Sequence, residues 1–243
     1  MKRSIFITAT DTGVGKTLVT AALARALATR RCSVGVMKPV ETGVASEHRS
    51  DAARLKRASH VVDSLDLIRP YAFRQPVAPP DAARAERRVV KLSAIMQAYR
   101  RLRSQYDLLL VEGLGGVTVP VTSTADVLDL IVKMRAPVLV VGRAALGGVN
   151  HALLTIKALR QRKIPVIALV LNRTMPVRTA VARRQDRSTV GLLRVRAGVP
   201  VIGPVPYLPE LDARFDRVTA KLATSSEMKR VTKLVMESAR GSR

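Results

Sequence analysis

With 243 residues, 47% of them hydrophobic and 25% charged, the chain has the make-up of one globular α/β domain and is too rich in aliphatics for a disordered polymer. Its 42 Lys+Arg against 18 Asp+Glu give a formal net charge of +24, which suits nucleic acid, an anionic membrane, an anionic substrate, or simply an arginine-rich surface. Aromatics make up 3% with no Trp, which argues against base-stacking platforms, and the single cysteine, Cys32, excludes an internal disulfide and a cysteine-rich zinc site.

In chain order, residues 4–8 (SIFIT) read as a buried strand, and their apolar stretch is too short for a signal-peptide core. Residues 17–28 follow as a helix of good formers, and residues 34–38 as a second strand closed by Pro39. Residues 92–103 have helical spacing, with Leu92, Ile95, Met96, Tyr99 and Leu102 on one side. Residues 108–111 form a strand ending at Glu112 and Gly113, and residues 125–134 a helix. Strand 137–141, helix 150–162, strand 165–171, a short strand at 201–202 and a closing helix at 228–239 complete the reading. The strands show little polar alternation, as expected where a parallel sheet is covered on both faces. Alternating strands and helices imply right-handed crossovers and a doubly wound sheet, with ligands at the carboxyl ends of its strands. No apolar run is long enough for a membrane span, and a cytoplasmic location is expected.

The first strand runs into TDTGVGKT at residues 10–17, followed by a helix. Glycines let backbone N–H groups converge on an anion, and the helix N-terminus adds positive potential. Lys16 supplies charge toward the β- and γ-phosphates, and the Thr17 hydroxyl suits Mg²⁺. The strict spacing asks for glycine at position 10, where Thr10 stands, but Gly13, Val14, Gly15, Lys16 and Thr17 keep the core of the pattern. The plainer reading is a glycine turn capping a helix. Read alone, Glu112 is a carboxylate capping a glycine-rich turn, Lys38 a surface lysine, and Asp51 the cap of a helix. Beside a phosphate loop, Glu112 stands where a second metal-side group belongs. Lys38, also at a strand end, is placed to neutralise developing transition-state charge.

The pieces together resemble the dethiobiotin synthetases over residues 3–210. The landmarks are TDTGVGKT at 10–17, KPVETG at 38–43, Ser50 and Asp51, VEGLGG at 111–116, LGGVNH at 146–151, Asn172, and PYL at 206–208. The resemblance implies a single P-loop NTPase domain over 1–243, and a ligase of biotin synthesis using ATP and Mg²⁺. In that family, CO₂ carbamates one amine of 7,8-diaminopelargonic acid, the carbamate attacks the γ-phosphate, and the second amine displaces phosphate to close a cyclic urea. It implies that Gly13, Val14, Gly15, Lys16, Thr17 and Leu18 hold the phosphates. Thr17, Asp51 and Glu112 would surround Mg²⁺, with Gly113, Leu114 and Gly115 beside them. Lys38 would stabilise the carbamate and the transferring phosphoryl group, and Thr42 would bind the carbamate side of the substrate. Asn172, Pro206, Tyr207 and Leu208 would read adenine, so ATP is expected to be preferred over GTP. Gly147, Gly148, Val149 and Asn150 would open a helix whose N-terminus receives the substrate carboxylate from a partner subunit, making the enzyme a homodimer. Cys32 is expected to serve packing, and His151 receives no role.

The chain departs from the family pattern at Ala9, Leu114, Tyr207 and residues 78–80 (APP), none of which removes a charged catalytic group. It is also far more basic. Seven Lys/Arg (Arg84, Arg87, Arg88, Lys91, Arg100, Arg101, Arg103) face only Glu86 in 84–103, and seven Arg face only Asp186 in 173–196. Two alternatives stand beside the synthetase. One is a partition or division ATPase bound nonspecifically to DNA, whose loop usually carries an early lysine that residues 10–13 (TDTG) lack. The other is an amide-forming ligase on a cobyrinic-type substrate, which usually adds a glutaminase domain with a nucleophilic cysteine. Small-molecule chemistry is expected, without membrane or nucleic-acid partners.

Overall fold

The computed structural model describes residues 3–30 and 32–241. Six parallel strands form the central sheet: β1 (Arg3–Ala9), β2 (Val34–Met37), β5 (Leu108–Glu112), β6 (Val138–Arg143), β7 (Val166–Asn172) and β8 (Val201–Val205). Their spatial order is β2-β5-β1-β6-β7-β8. A separate parallel pair, β3 (Val40–Glu41) with β4 (Tyr71–Ala72), lies in the excursion between β2 and β5. The helices are α1 (Lys16–Ala28), α2 (Asp51–Ser59), α3 (Leu65–Ile68), α4 (Pro79–Ala85), α5 (Leu92–Gln105), α6 (Val127–Met134), α7 (Gly148–Gln161), α8 (Ala180–Arg196), α9 (Phe215–Ala223) and α10 (Ser226–Gly241).

Side chains alternate along each strand and so divide into two cores, one on each face of the sheet. Ile5, Ile7, Leu110, Val141 and Val170 join one core with α1, α2, α9 and α10. Phe6, Leu109, Val111, Val140 and Leu171 join the other with α5, α6, α7 and α8. Both alternating sets are buried, which is why these strands read as unbroken apolar runs. On the first face, Asp216 at the start of α9 accepts Arg25 of α1 at 3.0 Å and Arg57 of α2 at 3.1 Å, tying three helices together. None of the helices among the described residues is long and apolar enough to cross a membrane.

The doubly wound parallel sheet agrees with the sequence reading, with corrections at element ends. The helix expected from 125 starts at Val127, because Asp126 is its N-cap and exchanges hydrogen bonds with Asp129 in a capping box. The helix expected from Asn150 starts at Gly148 with Gly147 as N-cap, which leaves Asn150 exposed in the first turn and not a cap. Asp51 is likewise not a cap. The Ser50 hydroxyl accepts from the Ala53 N–H, and Asp51 is the first helical residue. The strand at 201 continues to Val205. Cys32 packs partly buried at the edge of the α1 core, as expected of it.

Candidate active site

Every motif residue sits at the carboxyl edge of the sheet, where the strands hand over to loops. After β1 the chain turns through residues 10–15 into α1, with Gly15 as N-cap at φ 95°. β2 delivers Lys38, β5 ends on Glu112, β7 ends on Asn172, and β8 leads to Pro206. One cavity of ≈ 600 Å³ is lined by Gly13, Gly15, Lys16, Thr17, Leu18, Lys38, Thr42, Asp51, Leu114 and Gly115. A smaller one of ≈ 110 Å³, lined by Asn172, Pro206, Tyr207 and Leu208, shares Gly13, Gly15 and Leu18 with it.

At the centre lies a buried ionic cluster. The Lys38 Nζ is 2.7 Å from Glu112 Oε1 and 2.9 Å from Asp51 Oδ2, and donates to the Gly113 carbonyl at 3.1 Å. The Lys38 side chain is 4% exposed and that of Glu112 0%. The Thr17 hydroxyl donates to the same Glu112 Oε1 at 2.8 Å. Burial alone pulls the Lys38 ammonium down, but Asp51, Glu112 and Glu41 outweigh it and hold its pKa above the ordinary lysine value. Burial pushes Asp51 up, and the Lys38 cation, with Thr17 and Lys16, more than reverses this, so the carboxylate stays ionised. Thr17, Asp51 and Glu112 therefore make an oxygen-only group beside the phosphate loop, the donor type that suits Mg²⁺.

Lys16 differs from Lys38. Among the described residues its Nζ donates only to the Gly115 carbonyl, at 3.4 Å. Burial, then repulsion from Lys38, lowers its pKa to about 8, against the pull of Glu112, Asp51 and Asp11. If Lys16 serves a polyphosphate, as the sequence implies, the bound anion would hold that proton, and the free protein would have to take one up to bind ATP at higher pH. ATP affinity is therefore expected to fall by up to tenfold per pH unit above about pH 8 and to be flat below it. Titration calorimetry on either side of that pH checks this, and a profile flat through pH 9 would remove Lys16 from phosphate binding. The sign for folding is opposite. The unfolded chain binds this proton more tightly, so the cost of burying the ammonium is complete below pH 8 and fades as pH rises toward the unfolded value.

Asn172 is a clamp on the phosphate loop. Its Nδ2 donates to the Val14 carbonyl at 2.9 Å, which fixes the orientation of the amide because a carbonyl only accepts. Its Oδ1 is buried and has no hydrogen-bond partner among the described residues.

Among the residues not singled out in the sequence that also line the larger cavity, Glu41 and Arg54 are charged. Arg54 lies three residues after Asp51 on α2, a spacing that puts both on one face, so it was within reach of pattern reasoning. Its guanidinium pairs with Asp212 at 3.1 Å and lies 4.6 Å over the Phe215 ring. Among the expected positions, Val14, Glu112, Gly113 and residues 147–150 line neither cavity, although Glu112 and Gly113 are bonded to Lys38 at the wall of the larger one.

A family profile described as an AAA domain matches residues 3–214. An ATP-dependent dethiobiotin synthetase of Anaeromyxobacter dehalogenans (strain 2CP-C) is 47% identical over 174 residues, 72% of this chain and 78% of that protein. The protein of the same name from Thermodesulfovibrio yellowstonii is 39% identical over 223 residues, 87% of this chain and 92% of its own length. The chain belongs to the ATP-dependent dethiobiotin synthetase family. Solved structures share its fold at much lower identity. A ParA family ATPase from Chlorobium tepidum has a TM-score of 0.56 at 15% identity, covering 99% of this chain and 100% of its own. A pNOB8 ParA bound to nonspecific DNA has a TM-score of 0.57 at 15% identity, with 100% of both chains covered. At that identity the likeness is one of fold, and the synthetase relatives decide between the readings.

Proposed function

We propose that this chain joins CO₂ to 7,8-diaminopelargonic acid and closes the ring of dethiobiotin at the expense of ATP, with Mg²⁺. The observation that carries the reading is the Lys38–Asp51–Glu112 cluster, whose Lys38 and Asp51 line one cavity with Lys16 and Thr17 while Glu112 is buried against Lys38. The reaction passes through anions, first a carbamate and then a carbamic–phosphoric anhydride. It needs positioned cations and no protein nucleophile, and a buried cation has far more effect on such anions than one in water.

Lys38 is held rigidly and stays protonated, so it acts as a fixed positive charge where the carbamate oxygen meets the γ-phosphate. The loop amides and Lys16 hold the phosphates. Thr42, on the cavity wall beside Lys38, serves the carbamate end. The residues fit Mg²⁺: Glu112 Oε2 is buried without a hydrogen-bond partner among the described residues, and the Thr17 hydroxyl on Glu112 Oε1 and the Asp51 carboxylate, which shares Lys38 with Glu112, add hard oxygen donors. Mg²⁺ held by these residues would neutralise phosphate charge. The unpartnered Asn172 Oδ1 suits the amino group of adenine, with Pro206, Tyr207 and Leu208 walling the base. The amide nitrogen, already used on Val14, has less part in that recognition than the sequence suggested.

A homodimer completes this reading. The turn before α7 carries Leu146 at 76% exposure, and Leu154, Met175 and Val181 are also exposed apolar side chains. Such residues suit a face covered by a second copy, and the N-terminus of α7 then meets the carboxylate tail of the partner's substrate. The reading also sets the enzyme in the cytoplasm, among its small-molecule substrates.

The test is an assay with the purified protein, the diamine, bicarbonate and MgATP. Dethiobiotin, ADP and phosphate are expected in equal amounts. ATP hydrolysis without dethiobiotin would refute the reading.

A further inference from the structure

Glu41 is a buried carboxylate that the proposed reaction does not use. It ends β3, three residues after Lys38, and reaches across to the start of α2. One of its oxygens accepts the Asp51 N–H, and the other accepts the Ala52 N–H at 3.3 Å. That second oxygen also receives the Arg69 guanidinium at 3.1 Å, and Arg69 is itself buried and anchored on Glu47 at 2.7 Å. A helix begins with N–H groups that have no partner in the helix. The Ser50 hydroxyl takes one of them, from Ala53, and Glu41 takes the two before it.

This is a costly arrangement for helix capping alone. Burial penalises the Glu41 carboxylate and the nearby Asp51 charge repels it, so its pKa is raised. A serine or water could satisfy the same amides without that expense. The arrangement does something else as well. With its backbone pinned by Glu41, Asp51 projects its carboxylate to within 2.9 Å of Lys38 Nζ. The backbone on one side of Asp51 and the ion pair on the other fix it from both ends.

We propose that Glu41, held by Arg69, is a positioning residue that sets Asp51 for Mg²⁺·ATP by gripping the first two amides of α2. This rests on the proposed function, in which Asp51 is a metal-side group. Partners of this kind typically change metal affinity or activity by about 10–100-fold when removed.

The experiment is a double-mutant cycle on ATP binding, measured by titration calorimetry with and without Mg²⁺, for the parent, E41A, E41Q, D51N and E41A/D51N. In E41A the Mg²⁺-dependent gain in ATP affinity falls by about tenfold or more, while Mg²⁺-free binding changes little. E41Q keeps one oxygen for the Asp51 N–H and loses less. E41A/D51N is no weaker than D51N, because Glu41 acts only through Asp51. In ligand-free protein, amide hydrogen exchange at Asp51 and Ala52 is faster in E41A than in the parent. Should E41A not fold, E41Q carries the same cycle. An undiminished gain in the Glu41 variants, losses that add in the double variant, or unchanged exchange at both amides overturns the proposal and leaves Asp51 where it stands. A D51N protein that binds Mg²⁺·ATP as the parent does removes both assignments.

Discussion

Replacing Lys38 by alanine is expected to lower the rate of ring formation by about 10²–10³-fold or more, while ATP still binds. The split between rate and binding follows from geometry. Lys38 is bound to Asp51 and Glu112 at the cavity wall, whereas the proposed reading leaves the phosphates to the loop amides and Lys16. The same change leaves Glu112, wholly buried, without its cation. Breaking a buried pair by removing one partner costs about 3–5 kcal/mol, so K38A is also expected to melt well below the parent, and Mg²⁺ should recover part of the loss. Arginine is a poor substitute, because its planar fork does not fit a site shaped around a compact ammonium. Calorimetric melting and the rate at saturating ATP check both parts. A K38A enzyme within tenfold of the parent rate would show that the cluster is structural and the chemistry lies elsewhere.

Gly15→Ala is expected to weaken ATP binding by about 100-fold or more, and Gly13→Ala by roughly tenfold or less. Both glycines have positive φ, 70° at Gly13 and 95° at Gly15, so each alanine carries a backbone penalty of about 1–2 kcal/mol. Only at Gly15 does the new methyl meet an obstacle. It would lie 2.2 Å from Asn172 Nδ2, whereas nothing stands within 4 Å of a Cβ at Gly13. Either the loop shifts or Asn172 leaves its bond to Val14, and in both cases the phosphate cradle loses its shape. The double variant G15A/N172A should recover part of the loss by removing the collision, and a nucleotide titration of the four proteins measures it. Equal losses in G13A and G15A would mean that the conformational penalty alone decides.

The sheet and most of the site were legible because the carriers of function lie in short, ordered strings that end buried strands. Apolar runs such as 108–111 lead straight into Glu112, and the glycine pattern at 13–17 marks the turn by itself. Helix α8 was missed because its buried side is Asp186, Thr189, Val190 and Leu193, half polar, so no apolar stripe stands out among the arginines. Asp186 is buried there because Arg173 grips it with two bonds of 2.8 Å, which accounts for one of the seven arginines in that stretch. Helix α9 escaped for a similar reason, with only Phe215, Thr219 and Leu222 buried over nine residues. The pair β3–β4 is two residues long on each side, too short for any periodicity. Read alone, Asp51 gives only a cap, since nothing near it in sequence announces Lys38 or Glu41, and its metal-side role comes from the family resemblance. Glu41 itself stands inside the quoted KPVETG string, yet its partners at 51, 52 and 69 are brought to it only by the fold.

The shared carboxylate of Asp216 bears on how this site can move. α1 carries the phosphate loop at its N-terminus, α2 carries Asp51 at its own, and both are leashed to one side chain through Arg25 and Arg57. The two N-termini then behave as the prongs of one fork, and neither helix tilts without drawing on the other. Motion during turnover is therefore expected in the parts outside the fork, such as residues 206–208, which wall the smaller cavity, while the spacing between the phosphate loop and Asp51 stays constant from one cycle to the next.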